Sequence, residues 1–193
     1  MKQTGIPYLF VRGGTSRGPY FDRAYPSENL ETLSKVLVAA VGSSHPLNID
    51  GIGVSATLTT KVAMLPNSED DWTNIDYFFA QGTVEDGLVD YKPTCSNILS
   101  GVGASAIEMT LHEPEDHETM LRIRSVNTVA HIVATVQTPG GELSYEGDTV
   151  IDGVPGTSSP VALNFMNVVG SSTAAFQPTG DLREELDDIK VGG

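Results

Sequence analysis

The stretch KPTCSNILSGVGASAIE, residues 92–108, carries the only cysteine of the chain at the start of a predicted helix. A thiol at Cys95 would lie in the positive field of the helix N-terminus, which favours the thiolate. The unpaired N–H groups of Ser96 and Asn97 in the same first turn would offer a site for a carboxylate. A small buried hydrophobic residue is the alternative, and it is the commoner environment of a lone cysteine.

A lysine within a β-branched segment is the second candidate for proton chemistry. Lys61 follows two threonines in ATLTTKVAMLP, residues 56–66, whose alternation predicts a strand. A lysine turned into a dry cleft could act as a base near neutral pH. A solvated lysine on an exposed strand is the commoner case, so this signal is weak by itself.

A glycine-rich turn flanked by arginines could hold an anion. Residues 12–18, RGGTSRG, contain two adjacent glycines, two hydroxyl side chains and two arginines. Backbone N–H groups in such a turn can surround an anion, and an arginine can bind it through two donors. The candidate anion-binding residues are Arg12, Gly13, Gly14, Thr15 and Ser16. A plain tight turn is an equally good interpretation of the same segment.

Other kinds of site are not indicated. His112 and His117 flank an acidic loop and are expected to be solvated rather than metal ligands. The chain has no GxSxG motif, and its GIGVSA and GVGASA segments lack the strand and helix context of a dinucleotide fingerprint. We therefore expect no metal, no dinucleotide-binding fold and no serine-hydrolase mechanism.

Length, charge and cysteine content restrict the class of protein. A chain of 193 residues can bury a real core, and no run approaches the ~20 apolar residues of a membrane span. The first ten residues lack the apolar run of a signal peptide. The net charge of −14 argues against nucleic acid, and a single cysteine is typical of a reducing compartment. We expect a cytoplasmic protein that binds neither membranes nor nucleic acid.

The candidate residues must be placed by secondary structure, and the first half of the chain predicts both strands and a helix. Alternating segments predict strands over residues 5–12, 56–66 and 75–84. An amphipathic helix is predicted to begin after Ser27, as its N-cap, and to end at Gly42. Lys61 would then lie in the middle of the second of these strands.

The second half is predicted to begin with a buried helix and to continue with strands. Residues 96–111 are rich in glycine and alanine, which let neighbouring backbones approach closely. Alternation then predicts four antiparallel strands, over residues 119–126, 130–138, 142–150 and 161–167. After Phe176 the pattern degrades. The sum is an α+β fold with many short strands.

Five motifs occur in one order along the chain. They are VRGGTSRGPYF (11–21), IDGIG with LTTKVAML (49–53 and 58–65), DYFFAQ (76–81), PTCSNILSGVGASAIE (93–108) and EGDTVIDGVPGTSSPVALNF (146–165). The chain resembles the methylaconitate isomerase and 4-oxalomesaconate tautomerase family, which includes aconitate and methylitaconate isomerases and has the diaminopimelate-epimerase-like fold. The resemblance covers nearly the whole chain.

The resemblance implies an activity and a set of site residues. The activity is a cofactor-independent shift of a proton, and with it of a double bond, in small unsaturated di- or tricarboxylates of the aconitate, methylaconitate or oxalomesaconate type. Its catalytic residues would be Lys61 and Cys95. Its carboxylate-binding groups would be the Arg12–Ser16 turn and the backbone at Ser96 and Asn97. The expected partner is a small anionic polycarboxylate.

The resemblance also implies a domain organisation. The family has two similar domains, each an antiparallel or mixed sheet wrapped around a central helix, with the active site between them. Residues 1–165 would form the first domain, which strands returning late in the sequence would complete. Residues 166–193 would cross into a second domain that this chain lacks. Exposed sheet edges would then favour homo-oligomers.

The chain departs from the family pattern at two places. Ser96 stands where the family usually has glycine, and VSATLTTK, residues 54–61, replaces the usual GGHPLTSK. Substrate preference is therefore expected to differ within the class.

One alternative function is that of a truncated, inactive carboxylate-binding or oligomerising domain. The other is an amino-acid epimerase, although such enzymes typically use two cysteines and this chain has one.

Overall fold

The computed structural model describes residues 4–22, residues 29–166 and two short strands close to the C-terminus. The strands are β1 Leu9–Gly13, β2 Ser16–Asp22, β3 Lys61–Leu65, β4 Ile75–Gly82, β5 Val89–Asp90, β6 His117–Ser125, β7 His131–Thr138, β8 Ala162–Phe165, β9 Glu184–Leu186 and β10 Ile189–Val191. The helices are α1 Leu30–Val41, α2 Ser96–Leu99 and α3 Val102–Glu108, with a 3₁₀ turn at Pro139–Gly141.

One mixed sheet organises the described part of the chain. Its strand order is β1-β2-β3-β4-β6-β7-β8, with β5 beside the end of β4. The β2–β3 and β4–β6 pairs are parallel and the other pairs are antiparallel. Helix α2 contacts β1, β2 and β3, whereas α3 contacts β3 and β7. The sheet therefore wraps around the α2–α3 segment, which confirms the expected fold class.

The face of the sheet that surrounds α2 and α3 holds the larger apolar cluster, here called the inner cluster. Its buried members are Tyr20, Ala63, Leu65, Ile75, Tyr77, Phe79, Ile98, Leu99, Val102, Ala106, Leu121, Ile123, Ile132, Ala134 and Val136. The helix residues are small where the sheet comes close, because a Cβ on Gly103 would lie 2.9 Å from the Val136 side chain. The small-residue composition of the helix is thus a packing requirement.

The predicted helix over residues 96–111 is broken near its middle. Gly101 separates α2 from α3, and the Tyr20 ring passes so close that a Cβ at this position would overlap the Tyr20 hydroxyl. The Tyr20 hydroxyl donates to the carbonyl of Ile98 at 2.5 Å. The helical spacing of apolar residues cannot reveal such a break, because the tyrosine that packs against Gly101 comes from a strand that is distant in sequence.

Helix α1 covers the opposite face of the sheet and forms the outer cluster. That cluster contains Phe21, Leu33, Leu37, Val41, Val62, Met64 and Ala80. The helix ends at Gly42 as predicted, with φ of 74° in the left-handed region. The prediction of Ser27 as N-cap is wrong, because the side chain of Asn29 accepts from the Thr32 N–H at 3.0 Å.

Two predicted strands differ from the structure. The segment 56–66 becomes a strand only at Lys61, because the Thr59 N–H closes a turn onto the Ala56 carbonyl at 2.9 Å. The segment 142–150 forms no strand and keeps one isolated bridge, Thr149 to Ser158. The strand that follows β7 in the sheet is β8, which pairs with Ile132 to Thr135.

The chain after β8 is described only in part. Strands β9 and β10 pair antiparallel with each other. The proposed crossover at 166–193 and the fading pattern after Phe176 fall largely outside the described residues, so that domain boundary stays a prediction. Among the described helices, none combines the length and the apolar character needed to cross a membrane.

Candidate active site

Lys61 begins β3 on the inner face of the sheet. The register pairs Lys61 with Gln81 and Ala63 with Phe79, so these four side chains share the face that carries the inner cluster. The Lys61 Nζ atom donates to Gln81 Oε1 at 2.7 Å and lies 5.4 Å from the centre of the Phe79 ring. The lysine is half-buried. The structure therefore holds the Lys61 amine between an amide oxygen and an aromatic ring.

A glycine lets β2 pass the backbone of Lys61. The parallel register of β2 and β3 brings Gly18 beside Lys61. A Cβ at Gly18 would overlap the carbonyl oxygen of Lys61. Gly18, the last glycine of RGGTSRG, lies outside the turn and is needed for the close approach of β2 to β3. A larger residue at this position would push β3 away from β2.

Cys95 is the residue that precedes α2. It has extended backbone angles, φ −140° and ψ 108°, and makes no side-chain hydrogen bond at the cap. Its half-buried side chain packs against the inner cluster, and its carbonyl accepts from the Leu99 N–H at 2.8 Å. The first-turn N–H groups of Ser96 and Asn97 have no intrahelical acceptor, because the first turn of a helix never supplies one.

Strand β4 connects the surroundings of Cys95 with those of Lys61. Its alternate residues Tyr77, Phe79 and Gln81 point to the inner face. The Tyr77 hydroxyl donates to the Cys95 carbonyl at 3.2 Å, and the Tyr77 and Phe79 ring centres are 6.2 Å apart. Three consecutive inward side chains of one strand therefore contact both candidate catalytic residues or their neighbours.

Two buried tyrosines hold the start of the central helix as neutral hydrogen-bond donors. Burial, with the nearby Cys95 thiol as a smaller cause, raises the pKa of Tyr20. Burial, followed by the proximity of Tyr20 and Cys95, also raises the pKa of Tyr77. Both phenols therefore keep their protons through neutral pH and donate to carbonyls of the segment 95–98.

The glycine-rich turn packs directly on the first turn of α2. Gly14 and Thr15 form a two-residue hairpin turn, and Gly14 has φ of 52°. The Asn97 side-chain amide donates to the Thr15 hydroxyl at 2.9 Å. A Cβ at Gly13 would overlap the Asn97 carbonyl oxygen. The structure therefore brings the turn and the helix start together, as two sides of one backbone surface.

Ser16 and Arg12 differ in what they can offer to an anion. Ser16 is buried, and its hydroxyl has no hydrogen-bond partner among the residues that the structure describes. Arg12 is exposed and alternates with Val11, whose side chain packs on the inner cluster. The guanidinium of Arg12 donates to the carbonyl of its own turn at Gly14, 2.8 Å away. Arg12 is thus the candidate that the structure does not bring onto the face of Lys61.

A cavity of about 680 Å³ lies between β1, the start of α2 and the chain that leads into β8. Four predicted site residues line it, namely Arg12, Gly14, Ser96 and Asn97. Lys61 and Cys95 are not among the residues of its wall. Four of the seven predicted binding residues therefore border a cavity, whereas neither predicted acid–base residue does.

Comparison with known proteins decides the family. The chain matches the sequence profile of the PrpF protein family over residues 3–193. The chain belongs to the PrpF family. The YbhH protein of Escherichia coli (strain K12) is 46% identical over 186 residues, which are 96% of this chain and 53% of that protein. The 4-oxalomesaconate tautomerase of Pseudomonas putida is 42% identical over 194 residues, covering 99% of this chain and 53% of the tautomerase.

A solved structure confirms the fold of this PrpF-family chain. The crystal structure of methylitaconate-delta-isomerase superposes with a TM-score of 0.87 at 34% identity, over 97% of this chain and 49% of that one. The expected resemblance is therefore confirmed at the level of family and fold. The chain spans about half the length of the curated relatives it matches.

Sequence reasoning missed three residues around the candidate site of this PrpF-family chain. Tyr20, Tyr77 and Gln81 contact the helix start or Lys61, yet none was among the candidates. The alternation of DYFFAQ contained a usable signal, because it places Tyr77 and Gln81 on the same face as Phe79. Within the described part of the chain, His, Cys, Asp and Glu side chains form no group of three that could hold a metal ion.

Proposed function

We propose that this chain carries the acid–base pair of an isomerase that shifts a proton in small unsaturated di- or tricarboxylates. The observation that carries the proposal is the position of Lys61, whose amine is held on the inner face by Gln81 while the same strand contacts Cys95 through Tyr77. Membership of the PrpF family supports it, since the relatives include a 4-oxalomesaconate tautomerase.

The reaction is an allylic shift that balances without a redox step. A base removes a proton from the carbon next to the double bond, and the electron pair left behind forms a new double bond. The original double bond opens and takes a proton at its far carbon from an acid. No electron is gained or lost overall, so the residues must supply only proton transfer and charge stabilisation.

Lys61 and Cys95 are proposed as the acid and the base, with the order of the two left to experiment. The deprotonated intermediate places negative charge on the oxygens of a carboxylate or carbonyl. The backbone N–H groups of Ser96 and Asn97, which have no intrahelical acceptor, are suited to bind those oxygens. The Ser16 hydroxyl is a further donor, because it is buried with no partner among the described residues.

The substrate class is inferred from the shared chemistry of named relatives. Besides the 4-oxalomesaconate tautomerase, these include a 3-methylitaconate isomerase of Eubacterium barkeri and a 2-methyl-aconitate isomerase of Cupriavidus necator. The molecules in these names carry carboxylates around a carbon–carbon double bond. Ser96 is exposed and borders the cavity, so its side chain is placed to influence which substituent is accepted.

The proposal extends to the cellular setting. A single cysteine and an acid–base mechanism are compatible with a cytosolic enzyme that works without a cofactor. Within the part of the chain that the structure describes, strands β1 and β8 are the two ends of the sheet path, and open strand edges favour association between copies. Homo-oligomer formation is therefore part of the proposal, to be measured by the mass of the chain in solution.

The test is proton NMR of the chain in D2O with a panel of unsaturated di- and tricarboxylates. The expected result is loss of the allylic proton signal, followed by the signals of a new isomer. The Lys61→Ala variant serves as the control for exchange catalysed by the buffer. Unchanged spectra across oxalomesaconate, methylaconitate, methylitaconate and both aconitates would contradict the proposal and favour a carboxylate-binding domain without catalysis.

A further inference from the structure

Gln81 is the residue directly opposite Lys61 in the sheet, and it lies outside the residues assigned so far to acid–base chemistry or binding. Its Oε1 accepts a hydrogen bond from Lys61 Nζ at 2.7 Å. None of the ion pairs formed by the described residues includes Lys61. The polar partner of the lysine amine is thus an uncharged amide.

The hydrogen bonds around the Gln81 amide fix which of its two ends faces the lysine. Its Nε2 donates to the Gly82 carbonyl at 2.9 Å and to the Thr60 hydroxyl at 3.0 Å. That hydroxyl donates its own proton to the Gly82 carbonyl at 2.8 Å, so it can only accept from Gln81. A flipped amide would set its oxygen against the Gly82 carbonyl oxygen and its NH2 group against the Lys61 amine.

We infer that Gln81 is a positioning residue for Lys61, an inference that rests on the proposed function. A carboxylate at this position would attract the ammonium and hold its proton, whereas an amide oxygen adds no charge. An N–H bond is present in the ammonium and in the neutral amine, so Gln81 can accept from both. Gln81 therefore orients the amine before and after proton transfer. The lone pair of the neutral Lys61 amine stays directed away from the Gln81 amide.

The charged groups around this pair lie on two neighbouring strands, β5 and β2. On β5, Asp90 is in register with Gln81 and accepts from the Lys92 N–H at 2.9 Å. On β2, Gly18 faces Lys61, and the adjacent Arg17 extends over the Phe10 ring, 5.7 Å from its centre. Among these groups Asp90 is the carboxylate on the same face, two strands from Lys61, or about 10 Å.

The experiment compares Gln81→Glu and Gln81→Leu with the wild-type chain and with Gln137→Glu. Gln137 pairs with Glu118 at the start of β6, whereas β4 meets β6 near Ser125, so the control lies toward the opposite end of the sheet. The first measurement is the titration of Lys61, followed through its Cε carbon by NMR and assigned with Lys61→Arg. The second is the pH–rate profile on a substrate identified by the isomerisation assay.

The expected shift comes from placing a carboxylate beside the ammonium. In Gln81→Glu the midpoint of the Lys61 titration should rise by about 1–3 pH units. The limb of the pH–rate profile that reports Lys61 should shift to higher pH by the same amount. Gln81→Leu should lower kcat by about tenfold or more at every pH, with KM nearly unchanged. A residue with a merely structural role would not move the titration or the pH profile.

The outcomes separate this inference from the proposed function. A Gln81→Glu titration that matches the wild type, or moves no more than Gln137→Glu, overturns the positioning role. A chain that shows the titration shift without turnover on any panel substrate retains the Lys61–Gln81 pairing but contradicts the proposed reaction. Thermal unfolding of each variant shows that it is folded, and Gln81→Leu provides the second test if Gln81→Glu fails to fold.

Discussion

The inner and outer clusters lie on opposite faces of one sheet and are built differently. The outer cluster is apolar throughout, with leucine and valine from α1 packed against the sheet. The inner cluster contains Tyr20 and Tyr77, whose hydroxyls bind carbonyls at the start of the central helix. It also borders the buried hydroxyls of Ser16 and Ser105, which have no partner among the described residues. The inner face thus combines buried phenol and serine hydroxyls with the side chains of Lys61 and Cys95.

The difference shows how one sheet separates stability from chemistry. A long amphipathic helix can cover the outer face with apolar side chains alone, because it presents no free backbone groups there. The inner face surrounds a short helix whose first turn has N–H groups without intrahelical acceptors, and glycines bring the hairpin turn against it. Changes to the outer face should therefore alter stability, and changes to the inner face should alter activity.

The largest change in stability is expected from a truncation in the outer cluster. Leu37 is 1% exposed, and Leu37→Ala should destabilise the fold by about 2–5 kcal/mol through lost burial and the cavity left behind. Urea unfolding measures this loss, and kcat of the folded protein should stay within about twofold of the wild type. Leu30→Ala is the matched control, because Leu30 is on the same helix and is 52% exposed. A large loss of kcat in Leu37→Ala would contradict the separation of stability and activity between the two faces of the sheet.

A change at the hairpin turn should affect both stability and activity. A Cβ in Gly13→Ala would overlap the Asn97 carbonyl, so the turn or the helix start must move, at a cost of about 2–3 kcal/mol. Turnover should fall together with stability, because the N–H groups of α2 shift with it. Gly5→Ala is the control, since nothing lies within 4 Å of a Cβ there. Equal behaviour of the two variants would show that the turn does not depend on this contact.

Much of the fold could be predicted from local pattern, and the site only in part. Alternation located β4, β6 and β7, and the Gly42 stop of α1, because each depends on residues adjacent in sequence. The break at Gly101 could not be predicted, since it depends on the Tyr20 ring from β2. The Lys61–Gln81 contact likewise requires the β3–β4 register, which the sequence of neither strand specifies alone.

A smaller and pH-dependent loss is expected at the tyrosine that contacts Cys95. Tyr77→Phe removes one hydrogen bond and should cost about 1 kcal/mol near pH 7. Burial raises the pKa of Tyr77, so above about pH 10 the unfolded chain loses this phenolic proton while the folded chain keeps it. Wild-type stability should therefore decrease as pH rises above about 10, and less steeply in Tyr77→Phe. Parallel pH dependences in urea unfolding would contradict the buried, neutral phenol.

The smallest expected change is a gain in stability. Ser16→Ala removes a buried hydroxyl without a described partner and should stabilise the fold by about 1 kcal/mol. Ser105→Ala should give a similar gain in stability, because the Ser105 hydroxyl is also buried without a described partner. If Ser16 binds substrate, Ser16→Ala alone should raise KM, by about tenfold for one lost hydrogen bond. Identical KM values in the two variants would remove Ser16 from the proposed site.

The most direct test of the account measures deuterium incorporation into a turned-over tricarboxylate by four variants under the same conditions. Lys61→Ala and Cys95→Ala should each reduce the exchange rate by about 10²–10⁴-fold while remaining folded. Lys35→Ala and Leu37→Ala should exchange at the wild-type rate, since Lys35 is an exposed residue of α1 paired with Glu31. Wild-type exchange in Lys61→Ala or Cys95→Ala would contradict the assignment of proton transfer to the inner face.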